Sequence, residues 1–223
     1  MTGVPQTGPL DTATEANALR FFVQQMLNKL AGPTLVQVIS CTNTGGVSPV
    51  GMVNVQPLVN QLSGNGQPVP HGTVYNLPYF RIQGGANAVI LDPQPGDIGM
   101  ACFCSRDISS VKASKAQANP GSFRTWDWAD GLYLGGFLNG APTTYVQFSA
   151  NGSLNVVSPL AINLTAPTVN INASESLNIN SPSTDLSGAS ITVDDATIGG
   201  IGFLEHVHGG VQPGSSDTGV PQG

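Results

Sequence analysis

The sequence predicts a mainly β protein with an N-terminal helix, a small OB-type antiparallel β-barrel and a shaft of short repeated strands that three chains build together. Three observations predict this fold class. Only 9% of the residues are charged while 40% are hydrophobic, whereas disordered chains are usually rich in charge. Val, Ile, Thr and Asn alternate as in strands with one buried face. In the second half of the chain these short strands recur at a regular spacing.

An N-terminal arm and helix are predicted for residues 1–33, with the helix over 12–31. Thr12 followed by Glu15 has the spacing of a capping box, and the triplet AGP at the end is a stop signal. One face of this helix is apolar and comprises Leu19, Phe22, Val23, Met26, Leu27 and Leu30. A helix of this size cannot bury that face alone. It packs on its own domain or on a partner, and the sequence leaves both open.

Residues 34–112 are predicted to form the barrel. Five short strands, separated by turn-rich segments such as SGNGQPVP and DPQPGD, are compatible with a small closed barrel of the OB type. Cys102 and Cys104 alternate on the last strand and are expected to pack in the core. The predicted strands are Thr34–Thr42, Val50–Leu58, Thr73–Ile82, Ala88–Leu91 and Ile98–Ser105.

The charge distribution argues against a nucleic-acid partner. Residues 1–124 carry seven basic and five acidic groups, net +2, and residues 125–223 carry eight acidic groups and no basic one, net −8. The C-terminal half therefore has no electrostatic footprint for a polyanion. The barrel also lacks the aromatic and basic face with which OB barrels bind nucleic acid.

No segment of the sequence predicts secretion or membrane insertion. The N-terminus has no basic region followed by an apolar run, and no stretch approaches 18 consecutive apolar residues. Three cysteines, an odd number, fit synthesis in a reducing compartment such as a cytoplasm. Any contact of the protein with a membrane is expected to be mechanical or transient.

Residues 113–144 are predicted to be an irregular neck between the barrel and the shaft. They contain two tryptophans in the segment TWDWADGLYLGG. Trp126 and Trp128 share one side if this segment is extended, and we expect them to anchor the neck. A carbohydrate-stacking platform is the alternative, although no polar cluster accompanies it.

Residues 145–203 carry the strongest pattern and are predicted to form the shaft. Apolar anchors recur about every seven to nine residues, with Asn, Ser, Thr and Pro between them. Each strand supplies too few apolar residues to fill a solenoid. Three chains wound into a triangular prism would share one apolar axis and pair every strand edge. Seven passes would give a shaft on the order of 35 Å long. The anchors are Ile162, Leu164, Val169, Ile171, Leu177, Ile179, Ile191, Val193 and Ile198.

Residues 204–223 are predicted to form the tip, where His206 and His208 are candidate metal ligands. On a strand both imidazoles point the same way. One chain supplies too few ligands, but a trimer brings six imidazoles to its axis. Zinc prefers four ligands, whereas Fe, Co and Ni accept six, and availability favours one iron ion per trimer. Neutral imidazoles do not cancel the charge of the ion, so three copies of Glu205 or Asp217, placed outside the imidazole ligands, are the candidates to offset it.

The ending HVHGGVQPGSSDTGVPQG resembles the apex of the membrane-piercing spikes of contractile-tailed phages, of the baseplate assembly protein V type. The segments VGMVNVQPLVNQLSGNG, LPYF and PQPGDIGMACFCSRDIS are similar to the N-terminal barrel of the same spikes. With the shaft, the resemblance covers about residues 34–223. The apex motif is its specific part.

The resemblance implies a homotrimer with an OB-fold domain, an intertwined triple-stranded β-helix and an apex closed by one iron ion. His206 and His208 match the family's histidines, and residues 209–223 would wrap the point. The implied role is structural: the spike sits under the tail tube, at the baseplate tip of the virion, and breaches the host outer membrane. The helix at 12–31 is not part of the resemblance, and we expect it to dock the spike to the baseplate hub.

The alternatives to a phage spike are an enzyme, a receptor-binding tail fibre and the spike of a related contractile system. An enzyme using the HxH pair would need more ligands and a general base, but His71 lies far upstream in a turn-like segment, and no GxSxG or HExxH occurs. The chain also has no length to spare for a fused lysozyme domain. A trimeric receptor-binding tail fibre usually ends in exposed loops. The spike of a related contractile secretion or injection system has the same physics and stays an alternative.

Overall fold

The computed structural model describes residues 13–63, 65–188, 190–202 and 204. The chain divides into two units, Met1–Ile162 and Asn163–Gly223. The first unit holds α1 (Glu15–Asn28), α2 (Ser109–Ser114), a 3-10 turn (Trp128–Asp130) and strands β1 to β11. These strands are Thr34–Cys41, Met52–Pro57, Gln61–Leu62, Pro68–Val69, Val74–Pro78, Gln83–Gly84, Asn87–Ala88, Ile98–Phe103, Gly131–Gly135, Tyr145–Phe148 and Leu154–Val157.

The predicted helix is confirmed, although it is shorter than 12–31. The predicted capping box of Thr12 and Glu15 is wrong, because Glu15 is the first residue of the helix and its cap is Thr14. The side-chain oxygen of Thr14 accepts a hydrogen bond from the N–H of Asn17 at 3.1 Å, as expected for an N-cap threonine. After the helix, Ala31 is buried and its N–H donates to the carbonyl of Trp126 at 3.0 Å. The end of the helix is thereby fixed to residues 34–135, the part of the first unit that contains the five-stranded sheet and that we call the sheet unit.

Five strands form one antiparallel sheet in the order β5-β2-β1-β8-β9. The sheet curls into a half-barrel because the end of β5 returns to β9. Tyr79 and Tyr133 form a parallel bridge, and the N–H of Phe80 donates to the carbonyl of Tyr133 at 2.8 Å. Alternate side chains point inward and form the core: Val36, Val38, Val53, Val55, Val74, Leu77, Ala101, Phe103 and Tyr133.

Four of the five predicted barrel strands are confirmed, with ends that differ by a few residues. The prediction of a strand at Ala88–Leu91 is wrong. The strand there is only Asn87–Ala88, in a two-residue hairpin with Gln83–Gly84. The N–H of Val89 adds one hydrogen bond to the carbonyl of Ile82 at 2.9 Å, and Leu91 is 82% exposed. The fifth strand of the sheet is instead β9, Gly131–Gly135, which lies within the segment predicted as neck. Gly131 is needed there because a Cβ would lie 2.6 Å from the ring of Phe103.

The two tryptophans do not share one side, because the segment is not extended around them. Trp126 has a φ of 53°, and Trp128 begins the 3-10 turn. Trp128 packs against the core with its ring edge-on to Phe103, 4.8 Å between centroids. Trp128 alone therefore has the predicted anchoring contact, and it anchors the sheet unit.

The prediction that Cys102 and Cys104 pack in the core is wrong. Both are half-buried free thiols, and the buried face of β8 is that of Gly99, Ala101 and Phe103. The register of β8 explains this, since Ala101 pairs with Tyr133 on the inner side of the sheet. The even-numbered residues of the strand therefore lie on its outer face.

The described residues of the second unit have little regular structure within one chain. Between Asn163 and Ala196, the described residues form no strand, and a hairpin of β12 (Thr197–Ile198) and β13 (Ile201–Gly202) follows. The predicted anchors are all more than half exposed. Their exposed fractions are Ile162 55%, Leu164 75%, Val169 53%, Ile171 65%, Leu177 59%, Ile179 69%, Ile191 60%, Val193 60% and Ile198 69%.

Candidate functional site

The predicted metal ligands His206 and His208 lie outside the described residues, as do Glu205 and Asp217. The hairpin of β12 and β13 comes directly before them in the chain. Its two turn residues, Gly199 and Gly200, have φ values of 60° and 85°. This pair of positive φ angles is typical of the tight turns that glycine makes at no steric cost. The sequence GG therefore reverses the chain just before the tip.

The described residues contain no group of three or more His, Cys, Asp or Glu side chains that could hold a metal ion. None of the described helices is long and apolar enough to cross a membrane.

His71, the third histidine, lies with its ring 4.7 Å from that of Trp128, and burial lowers the pKa of His71. It borders a groove of about 480 Å³ that also includes Thr73, Asn76 and Lys112. The Lys112 ammonium donates to the carbonyl of Ala129 at 3.2 Å.

The carbohydrate platform stays a prediction. Trp128 lines the same groove as His71 and has the rings of Phe103 and His71 against it. Trp126 has a φ of 53° and is 39% exposed.

Two clusters of buried charge hold the loops of the sheet unit, and neither was predicted. In the first, Arg81 donates to Asp92 at 2.6 Å, and the two side chains are 3% and 0% exposed. The Tyr79 hydroxyl also donates to Asp92 at 2.6 Å. Burial alone would raise the pKa of Asp92, but the hydrogen bonds from Tyr79 and Arg81 outweigh it and lower that pKa. The carboxylate also accepts the N–H of Gly45, which fixes the β1–β2 loop.

In the second cluster, Arg124 joins two carboxylates. It donates to Asp107 at 2.9 Å, and to Asp130 at 2.6 Å through Nε and 2.9 Å through Nη2. Ser122 donates to Asp107 at 2.7 Å. Hydrogen bonds from the Ser109 side chain and N–H lower the pKa of Asp107 to about 2. Both carboxylates are thus held as structural anions around α2, and a group so held is a weak general base.

The last part of the chain matches a known family. Residues 205–222 match the family model described as GpV Apex motif. This stretch includes His206 and His208, so the resemblance of the chain's end to the apex of phage spikes is confirmed. No curated protein matches the chain.

The match is confined to residues 205–222, and it supports a resemblance of this chain to phage baseplate spike proteins of the gpV type, which are structural components of virion tails. Such a component assembles with other parts of the baseplate. The half-barrel and the exposed anchors lie outside the matched residues.

Acid should weaken the sheet unit through Asp107. Its pKa is about 2 in the folded chain against 3.8 without the fold, so the unfolded chain binds more protons between these values. Its contribution to stability is complete above pH 3.8 and is lost as the pH falls toward 2. We expect the urea midpoint, followed by tryptophan fluorescence, to fall less steeply over this range in Asp107→Asn than in the wild type.

The exposed Asp185 offers a matched control. Asp185→Asn should keep the wild-type pH profile. If Asp107→Asn keeps that profile as well, the assigned role of Asp107 is incorrect.

Proposed function

We propose that this chain forms the central spike of a contractile phage tail, a homotrimeric needle that pierces the host outer membrane when the tail contracts. The observation that carries the proposal is the apex match at residues 205–222. The half-barrel, proposed to be of the OB type, and the N-terminal part would join the spike to the hub and tail tube. The repeats at 145–203 would form the shaft, and residues 204–223 the point at the baseplate tip.

The exposed anchors support the trimer. A single chain leaves ten Ile, Leu and Val side chains more than half exposed along 162–198: the nine predicted anchors and Leu186. Burying such a side chain contributes about 1.5–3 kcal/mol, and large exposed apolar areas mark interaction surfaces. Three copies around one axis would cover these side chains and pair the strand edges that one chain leaves open.

The donor set of the tip fits an iron ion. His206 and His208 from three chains offer six neutral imidazoles. Iron accepts six ligands, whereas zinc prefers four, so this donor set suits iron better than zinc. The bound ion would act as a structural cross-link. Chain ends are the least ordered parts of a fold, and each histidine pair would tie one chain end to the other two. Separated chains have no complete site, so metal binding would contribute to assembly.

The trimer can be tested with two substitutions one residue apart. Ile171→Asp would place three carboxylates on the shared axis, where unpaired buried charges are strongly destabilising. Asn170→Asp adds the same charge on the outer face. In sedimentation equilibrium, we expect the wild type and Asn170→Asp at three times the chain mass of 22.9 kDa, and Ile171→Asp at a lower mass. A wild-type monomer, or equal effects of both variants, would contradict the shared axis.

The metal site can be tested by elemental analysis. We expect about one iron atom per three chains in the wild type, and none in the double variant His206→Ala, His208→Ala, with most of the shaft still trimeric. His71→Ala is the matched control and should retain the iron. Iron that persists in the double variant would reject the assignment. Zinc in place of iron would reject the six-ligand shell.

The position in the virion distinguishes the alternatives. Gold-labelled antibodies against the chain should mark the distal tip of the tail, on its axis, in electron micrographs of the phage particles. Label along lateral fibres would favour a receptor-binding fibre. Label on a contractile apparatus that carries no phage head would favour a secretion or injection system.

A further inference from the structure

Helix α1 carries a heptad seam. Ala16, Leu19, Val23 and Met26 follow one another in the helix at spacings of three, four and three residues, and Leu30, two residues past the helix end, continues the spacing. This is the a/d pattern of a coiled coil. All five are exposed, and the four large ones are between 47% and 65% exposed. The described residues of its own chain therefore leave the seam uncovered.

The helix sits with this seam turned away from its own unit. Among residues 13–30 only Phe21 and Gln25 are half-buried, and the rest are exposed. At 3.6 residues per turn, Phe21 and Gln25 lie on the face opposite Leu19, Val23 and Met26. The buried Ala31 fixes the end of the helix to the sheet unit. The apolar face is thus presented outward on a fixed support.

The residues beside the seam indicate what covers it. With Ala16 at position a, Glu15 and Phe22 occupy g, and Arg20 and Leu27 occupy e. In a parallel coiled coil in register, position g of one helix lies beside position e of the next heptad in its neighbour, five residues further along. Glu15 then faces Arg20, and Phe22 faces Leu27. Both pairs are complementary, one in charge and one in apolar character.

We propose that α1 of three copies forms a parallel coiled coil through this seam. The inference rests on the proposed trimer, because rotational symmetry about one axis makes the three helices parallel and in register. A helix of 14 residues covers two heptads, which is too short to associate alone. The shaft would supply the high local concentration of helices that this association needs. The seam would then be used by copies of the chain, and the hub would contact other surfaces.

The test is thiol cross-linking in the full-length chain. Met26→Cys places three thiols at a d position on the axis, and Asn28→Cys, the matched control, places them at an outward f position. A short bismaleimide should join Met26→Cys chains into covalent dimers, well above the wild-type background from Cys41, Cys102 and Cys104. Each trimer holds three such thiols, and one cross-link joins two of them, so at most about two thirds of the chains can be found in covalent dimers. Asn28→Cys should stay at the wild-type level.

Sedimentation of the same samples separates this inference from the proposed function. If the chain is trimeric and Met26→Cys cross-links no more than Asn28→Cys, the coiled coil is overturned, while the proposed spike stands and the seam is open to the hub. If the chain is monomeric, both the trimer and the coiled coil fail. A trimer that cross-links through Met26→Cys alone supports the inference.

Discussion

The structure depends on one constraint: an apolar strand face must be covered, and only the first unit can cover it within one chain. In the half-barrel, the sheet curls until β5 meets β9, so the inward side chains of all five strands pack on each other. Between residues 162 and 198 the same alternation of apolar and polar residues leaves every predicted anchor exposed. The repeats are too short to curl on themselves. In the proposed trimer, other copies of the chain would cover these apolar faces.

The proposed metal site follows from the same constraint. Two histidines separated by one residue are too few to hold an ion in one chain. They become a six-ligand set only when the shaft brings three chains to one axis. The match of residues 205–222 to the apex motif gives independent support for such an end. In the proposed spike, shaft and apex stabilise each other, since the shaft aligns the histidines and the ion holds the chain ends together.

The sequence predicts the elements whose pattern is local. Helix α1 and strands β1, β2, β5 and β8 all follow from periodicity and turn residues. Strand β9 was missed because its GLYLG sequence, flanked by glycine and preceded by two tryptophans, has the composition of a loop, and only pairing with β8 makes it a strand. The run Ala88–Leu91 has strand composition but no neighbour that pairs along its length.

The polar contacts and the predicted ligands mark two further limits of sequence analysis. Arg81 and Asp92 are 11 residues apart, and Arg124 and Asp107 are 17 apart. No spacing rule joins such pairs before the fold is known. The histidine pair, in contrast, is a short motif with a recognisable tail, which is why the family of the tip was predictable from residues alone. In the proposed spike, the geometry of the pair would depend on copies of the chain, which no single-chain pattern describes.

The distribution of charge suits a needle that passes through an envelope. Of the seven basic residues, Arg81 and Arg124 are held in buried or half-buried ion pairs, and none lies beyond Arg124. The shaft and tip, residues 145–223, carry six acidic residues and no basic one, net −6, so in the proposed trimer they would be strongly anionic. Bacterial surfaces are themselves anionic, and like charges repel within about 10 Å at moderate salt. A shaft of this charge would gain no electrostatic affinity for the surface that the proposed spike crosses. Entry would then depend on the force of tail contraction, and the rigidity given by the apolar axis and the closed tip would matter more than binding.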